Sequence, residues 1–244
     1  MSGLPTRPTL PVMAAIAGAA AVLGFLGGWA YQASGLGRAS TEQLVRGYIL
    51  ENPEILPEAV ERLQQKETLA RLEPLRGAVE TAFAGAVLGN PEGSTVLVEF
   101  TDYACPYCRL SLPDLNYLID KYSDLKVVVR ENPVLSPESV EAARMALAAA
   151  AQGKFEAFHN AMFAKDRPSQ ATIVAAAQEA GLDLARAQAE IATGKYDAEL
   201  ENNIRLSQSL GLTGTPTWVI GDQAFSGAVG RERLEEAILA AVDS

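Results

Sequence analysis

The chain has 244 residues, 48% of them hydrophobic, and carries 30 Asp and Glu against 20 Lys and Arg, a formal net charge of −10. That length and apolar content suffice for a buried core in one or two domains. The acidic balance, with no Lys- or Arg-rich run, argues against nucleic acid as a partner, because binding phosphates needs clustered positive charge.

Thirty residues from Pro8 to Gly37 carry no charge. Within them PVMAAIAGAAAVLGFLGGWAY, residues 11–31, is apolar over the length at which a helix crosses a bilayer. Trp29 and Tyr31 stand where interfacial aromatics sit. The reading is a short cytoplasmic head over 1–10 and a transmembrane signal-anchor over 11–31. This would make a single-pass protein of the inner (cytoplasmic) membrane, with the remaining chain on the periplasmic side. A cleaved signal peptide, leaving a soluble periplasmic protein, is the alternative, since GGWAYQASG offers small residues to a peptidase.

Residues 38–76 read as a helical arm interrupted by prolines. Ser40 or Thr41 caps a first helix through TEQLVRGYIL, which Pro53 ends near Asn52. Pro57 falls in the first turn of a second helix, PEAVERLQQKETLARLEPL. Its Leu56, Val60, Leu63 and Leu72 lie along one stripe. A stripe of this kind has to dock, either on the domain that follows or on other copies of the arm in a homo-oligomer.

From Thr95 the pattern changes. TVLVEF is a nearly continuous run of strand-forming residues, as a strand buried on both faces requires. It leads into TDYACPYCRL, which holds both cysteines of the chain, Cys105 and Cys108. Helical spacing follows in PYCRLSLPDLNYLIDKY, and then a second strand, LKVVVRENPVL. Strand, helix and strand at this length form a βαβ unit with a parallel pair. The thiols then sit beyond the C-terminal end of a strand, with Cys105 at the N-cap and Pro106 at the first helical position. Unpaired backbone N–H groups and the positive helix end favour a thiolate at Cys105. Cys108 lies one turn deeper.

Three chemistries share this spacing. Structural zinc wants four Cys or His ligands, and the chain offers two cysteines and one histidine, His159, in a helix-like stretch some fifty residues downstream, so no metal is expected. A structural bridge across two residues removes little chain entropy. A redox pair is the remaining reading, and no cofactor is called for. A Cys/His hydrolase would leave the second cysteine without a role. Glu99 is the odd residue of its strand, a charge between Val98 and Phe100. Burial of a carboxylate is costly without a partner or a raised pKa; the competing reading is a strand-end carboxylate turned to water.

Two motifs, VEFTDYACPYCR and GLTGTPTWVIGDQAFSGAVG, resemble the DsbA family of thioredoxin-fold proteins. The likeness extends to its membrane-anchored or secreted members with an N-terminal helical arm, the copper-sensitivity suppressor C type, and spans roughly 40–242. The resemblance implies an α/β thioredoxin fold over 85–244 with a helical insertion about 136–212, in which Gly181 and Gly194 act as helix stops. A Gly221-Asp222 turn pairs the strands PTWVI and QAFSG. It further implies a redox-active Cys105–Cys108 disulfide in which Cys105 exchanges with substrate and Cys108 resolves the mixed disulfide. Glu99 would be the buried acid that relays protons to the inner cysteine. Thr215-Pro216 would be a cis-proline loop whose backbone pairs with a substrate segment, with Pro106 and Tyr107 on the same substrate-facing rim.

The expected partners are exported proteins bearing thiols or disulfides and a membrane redox partner that resets the pair. Oxidase, isomerase and reductase share these thiols. Thr215 before the proline matches isomerase-like members, and Tyr107 replaces the oxidase-typical histidine. A non-catalytic envelope or metal-handling adaptor is the rival from a different class.

Overall fold

The structure, a computed structural model, describes residues 10–33 and 36–242. The head expected over 1–10 lies outside the described residues apart from Leu10. Contacts divide the chain into two compact units, residues up to 62 and residues from 63 onward.

The first unit is helical. It contains α1 (Leu10–Ala33), α2 (Leu36–Glu51) and the start of α3 (Ile55–Leu72). α1 carries no charged residue, yet twelve of its 24 residues are Ala or Gly. These supply little of the transfer free energy that Leu, Ile, Phe and Val contribute. Among the described residues no helix is long and apolar enough to cross a membrane, so the transmembrane anchor expected over 11–31 is not supported. Ser40 and Thr41, expected as caps, lie inside α2, because the helix starts at Leu36. Pro57 does fall in the first turn of α3.

In the second unit, α3 leads through a 3-10 turn (Glu73–Leu75) into α4 (Arg76–Glu80), β1 (Val87–Gly89), β2 (Thr95–Thr101), α5 (Pro106–Lys121) and β3 (Leu125–Glu131). The helical insertion follows as α6 (Pro137–Ala150), α7 (Phe155–Phe163), α8 (Gln170–Glu179), α9 (Leu184–Ala192) and α10 (Asp197–Ser209). The chain closes with β4 (Thr217–Ile220), β5 (Gln223–Ser226) and α11 (Arg231–Val242). Gly181 and Gly194, just past α8 and α9, have φ of +70° and +73°, a backbone that a Cβ would strain.

The five strands form one sheet in the order β1-β3-β2-β4-β5. β2 and β3 pair in parallel, Thr95 with Leu125 through Thr101 with Glu131. β4 runs antiparallel to β2 and places Trp218 beside Glu99. Gly221 turns the β4–β5 hairpin at φ +49°. β1 is an unforeseen edge strand of three residues, paired with β3.

The two-residue period of the strands splits the core. On one face Leu97, Val127, Val129, Trp218 and Ile220 pack with Leu115 and Leu118 of α5, Ile238 of α11 and Phe158 of α7. On the other, Val98, Phe100, Val128 and Val219 pack with Leu72, Val79, Leu206 and Leu210. Each such side chain contributes about 1.5–3 kcal/mol on full burial.

The apolar stripe of the arm divides accordingly. Leu72, at its end, is fully buried on the sheet. Leu56, Val60 and Leu63 are 52–56% exposed, and in α2 Leu44, Val45, Tyr48 and Leu50 are 48–71% exposed. Buried Arg130 fastens the same sheet face. Its guanidinium donates to Glu199 (3.0 Å), to Asn203 (2.9 Å) and to the carbonyls of Val79, Ala78 and Thr81. These contacts replace its lost hydration and hold α4 and α10 against β3.

Candidate active site

β2 points at the dithiol, and the turn after it is held by Asp102. That side chain is 1% exposed and accepts from the backbone N–H of Ala104 (2.8 Å), Val134 (2.9 Å) and Leu135 (3.0 Å). One carboxylate thereby joins the cysteine turn to the loop after β3. Cys105 then takes the N-cap of α5 at φ −78°, ψ 118°, and Pro106 follows at the first helical position. An extended backbone there lets the cap side chain reach the free N–H groups of the first turn. Cys105 Sγ accepts from Cys108 N at 3.4 Å.

Both cysteines are free thiols in this structure. Neither is open to solvent: Cys105 is 3% exposed and Cys108 1%. Accessibility therefore does not separate them, but electrostatics does. The Cys105 thiol is lowered to about 6, chiefly because the Cys108 thiol donates to it, with help from Thr215 and the N–H groups of Cys108 and Tyr107 against the cost of burial. Cys108 is pushed far up by burial, by its bond to Cys105 and by the charge of Glu99. A thiolate at Cys105 and a protonated Cys108 follow at neutral pH.

Glu99 is 2% exposed, so the water-facing reading of this residue does not hold. β2 and β4 bury it opposite Trp218, on the sheet face that carries the thiols. Its carboxyl is raised from 4.5 to about 8, chiefly by burial, with the Thr101 side chain opposing the shift and the charge of Cys105 adding to it. The Thr101 side chain also influences Cys108, so it borders both groups.

Thr215-Pro216 is a cis peptide bond, the only one among the described residues. Cys105 Sγ lies 3.1 Å from the Thr215 carbonyl oxygen, to which it donates as a thiol. Cys105 and Thr215, 110 residues apart in sequence, are thus brought into contact, with Cys108 and Glu99 beside Cys105 and Pro216 next to Thr215. Pro106 and Tyr107 lie on the exposed rim, with Tyr107 60% exposed. Among the described residues no three His, Cys, Asp or Glu are grouped as a metal site.

Three further polar residues on this side were not among the predicted site residues. Tyr103 Oη lies 3.0 Å from Glu131 Oε1 and 3.1 Å from Nδ1 of the lone histidine, His159, and all three are buried. One signal was legible for Glu131, a charge closing the apolar strand LKVVVRE.

A parallel βαβ unit with a dithiol at its strand-to-helix junction, opposite a cis proline, defines a thioredoxin-fold dithiol protein. The chain belongs to the DSBA-like thioredoxin domain family, which matches residues 96–239, and the copper resistance protein ScsC N-terminal domain matches residues 38–68. A thioredoxin-like oxidoreductase from Silicibacter pomeroyi is 38% identical with a TM-score of 0.62, over 65% of this chain and 92% of that one. A periplasmic thioredoxin-like protein from Salmonella enterica is 31% identical (TM-score 0.62; 70% and 97% covered). The thiol-disulfide exchange protein alpha-DsbA2 from Wolbachia pipientis is 26% identical (TM-score 0.68; 73% and 97% covered). Curated relatives are longer. The Na(+)/H(+) antiporter NhaA 3 of Salinispora tropica is 29% identical over 161 residues, which cover 65% of this chain but 25% of the relative. The chain thus falls in a thiol-disulfide oxidoreductase family.

Proposed function

We propose that the protein exchanges thiols and disulfides with exported proteins, forming or isomerising their disulfide bonds. The observation that carries this reading is Cys105: its sulfur accepts from Cys108 and lies 3.1 Å from the carbonyl of Thr215, before a cis proline.

Cys105 thiolate attacks one sulfur of a substrate disulfide. One S–S bond breaks, one forms, and the other substrate sulfur leaves as a thiolate. Cys108 gives its proton to the Glu99 carboxylate and attacks Cys105, releasing the second substrate thiolate and leaving a Cys105–Cys108 disulfide. Run backwards, that disulfide accepts two electrons from a substrate dithiol, and protonated Glu99 returns the proton to Cys108. A carboxyl raised to about 8 suits both directions near neutral pH. Thr215 and Pro216 present backbone to an extended substrate segment, and Pro106 and Tyr107 border it.

Within this chemistry isomerisation comes ahead of oxidation. Tyr107 places no positive charge beside the thiolate, and Thr215 is the residue of isomerase-like members of the family. The exposed stripe of α2 and α3 supports self-association of the arm, which would hold several dithiols near one substrate. The relative named periplasmic supports an extracytoplasmic site of action, where a membrane redox partner would reset the pair.

Trapping tests the assignment. Cys108→Ala should accumulate mixed disulfides through Cys105, and Cys105→Ala almost none; equal trapping by the two variants would refute the roles given. Reactivation of a protein with scrambled disulfides, set against insulin reduction, separates isomerase from reductase.

A further inference from the structure

The exchange steps leave one buried cluster unused, Tyr103–Glu131–His159. Its members are 1%, 1% and 0% exposed, and the rings of Phe155, Phe158 and Phe163 enclose Tyr103 and His159. Tyr103 Oη is within hydrogen-bond distance of both Glu131 Oε1 and His159 Nδ1. A phenol has one proton, so one of these contacts must be donated by the partner. In one arrangement Glu131 is a carboxylic acid that donates to Tyr103, which donates to Nδ1. In the other, Nδ1–H donates to Tyr103, which donates to a Glu131 carboxylate.

The second arrangement buries a carboxylate with no cation to meet it. Arg130, the preceding residue, points to the opposite sheet face and pairs with Glu199. Arg109 of α5 donates from Nε to the Phe163 carbonyl and forms no ion pair among the described residues. The other titratable groups that act on the cluster are Glu99 from β2 and Asp102 from the turn, neither of them cationic. Burial holds the Glu131 carboxyl well above its usual range, against the Tyr103 hydrogen bond, with the charges of Asp102 and Glu99 adding to the rise. Burial also brings His159 down to about 3, so the ring stays neutral. With an ionised Glu131 the Tyr103 hydroxyl donates to Oε1; with Glu131 in its acid form and His159 neutral, the donors run instead from Glu131 to Tyr103 to His159.

We infer that His159 is the terminal acceptor that keeps Glu131 in its acid form beneath the dithiol, making Glu131, Tyr103 and His159 positioning residues for proton exchange between Glu99 and Cys108. The link is register. Glu131 pairs with Thr101, whose side chain borders Glu99 and Cys108. By taking the Tyr103 proton, His159 prevents that hydroxyl from donating to Glu131, a bond that would favour the carboxylate. An ionised Glu131 would place a second negative charge under Cys108 and oppose its deprotonation.

This rests on the proposed exchange chemistry, and two measurements keep the readings apart. The first needs no activity. His159 is the single histidine of the chain, so the imidazole nitrogen resonances of the reduced full chain are unambiguous. The expected result is a neutral Nε2–H tautomer that does not titrate from about pH 5 to 8. An Nδ1–H tautomer or a titrating ring overturns the inference whether or not the dithiol exchanges.

The second is the pH profile of mixed-disulfide resolution, followed by rapid quench with a disulfide-bonded peptide. His159→Phe should move the profile to higher pH and slow resolution at pH 7 by roughly tenfold, the effect of one pH unit on a thiolate fraction. In a Glu131→Gln background the same change should shift nothing, because Gln cannot ionise. A similar slowing in both backgrounds would mark a merely structural role and overturn the proposal. A downward shift from Glu131→Gln alone would reveal a native carboxylate and overturn it also. If His159→Phe does not fold, the tautomer and the Glu131→Gln profile decide. A wild-type protein that resolves no mixed disulfide refutes the exchange chemistry instead, while the tautomer still tests the cluster.

Discussion

Glu99→Gln is the perturbation with the clearest signature, because it removes a charge and keeps the shape. The native carboxyl holds its proton to about pH 8, whereas the unfolded chain releases it near 4.5. A folded-state pKa above the unfolded one contributes stability that is complete below 4.5 and declines as pH rises toward 8. The loss is about 1.4 kcal/mol per pH unit and about 5 kcal/mol over that window. Gln has no such penalty. In urea unfolding of the reduced protein, variant and wild type should nearly coincide at pH 4.5, and the variant should be several kcal/mol the more stable at pH 8.

Cys105 runs in the opposite sense. Its lowered pKa adds stability above pH 9 that fades as pH falls through about 6. Comparing the two proteins at each pH cancels that contribution to first order. The same substitution should slow mixed-disulfide resolution, since Cys108 loses its proton acceptor. Parallel stability curves from pH 4.5 to 8 would refute the burial argument, and unchanged exchange kinetics across that range would refute the relay.

Alkylation of the reduced protein should label Cys105 with a midpoint near pH 6 and leave Cys108 unmodified; preferential labelling of Cys108 would sink the N-cap argument. Asp102→Ala strips three backbone N–H groups of their acceptor and should cost about 2–4 kcal/mol in denaturant unfolding. Leu72→Ala, which opens a cavity beneath the sheet, should cost about 2–5 kcal/mol. Replacing exposed Leu44 and Val60 by Glu should turn an oligomer of the chain from residue 38 into a monomer by light scattering without loss of helix; an unchanged mass would refute assembly through the arm.

Features set by neighbours in the chain are legible in the sequence. The N-cap at Cys105, proline at the next position, the turn at Gly221 and the stops at Gly181 and Gly194 depend on backbone preferences within a few residues. Glu99 stood out because a charge in an apolar strand has few explanations. Local signals also misled: Ser40 and Thr41 are good caps that α2 passes through, since a capping preference of about 1 kcal/mol yields to a longer helix. β1 was missed because three residues ending in glycine carry no period.

What the tertiary structure alone decided is which distant groups share a dielectric. The cis form of Thr215-Pro216 is a further feature of this kind, since the X-Pro pair alone permits both isomers. Parallel pairing of β2 with β3 sets Thr101 beside Glu131, and the two-residue period turns Glu99, Thr101 and Glu131 to one face. Packing of α7 then brings His159 to Tyr103 across 56 positions. Local preference reaches only a few residues, whereas a buried charge is shifted by everything the fold places around it.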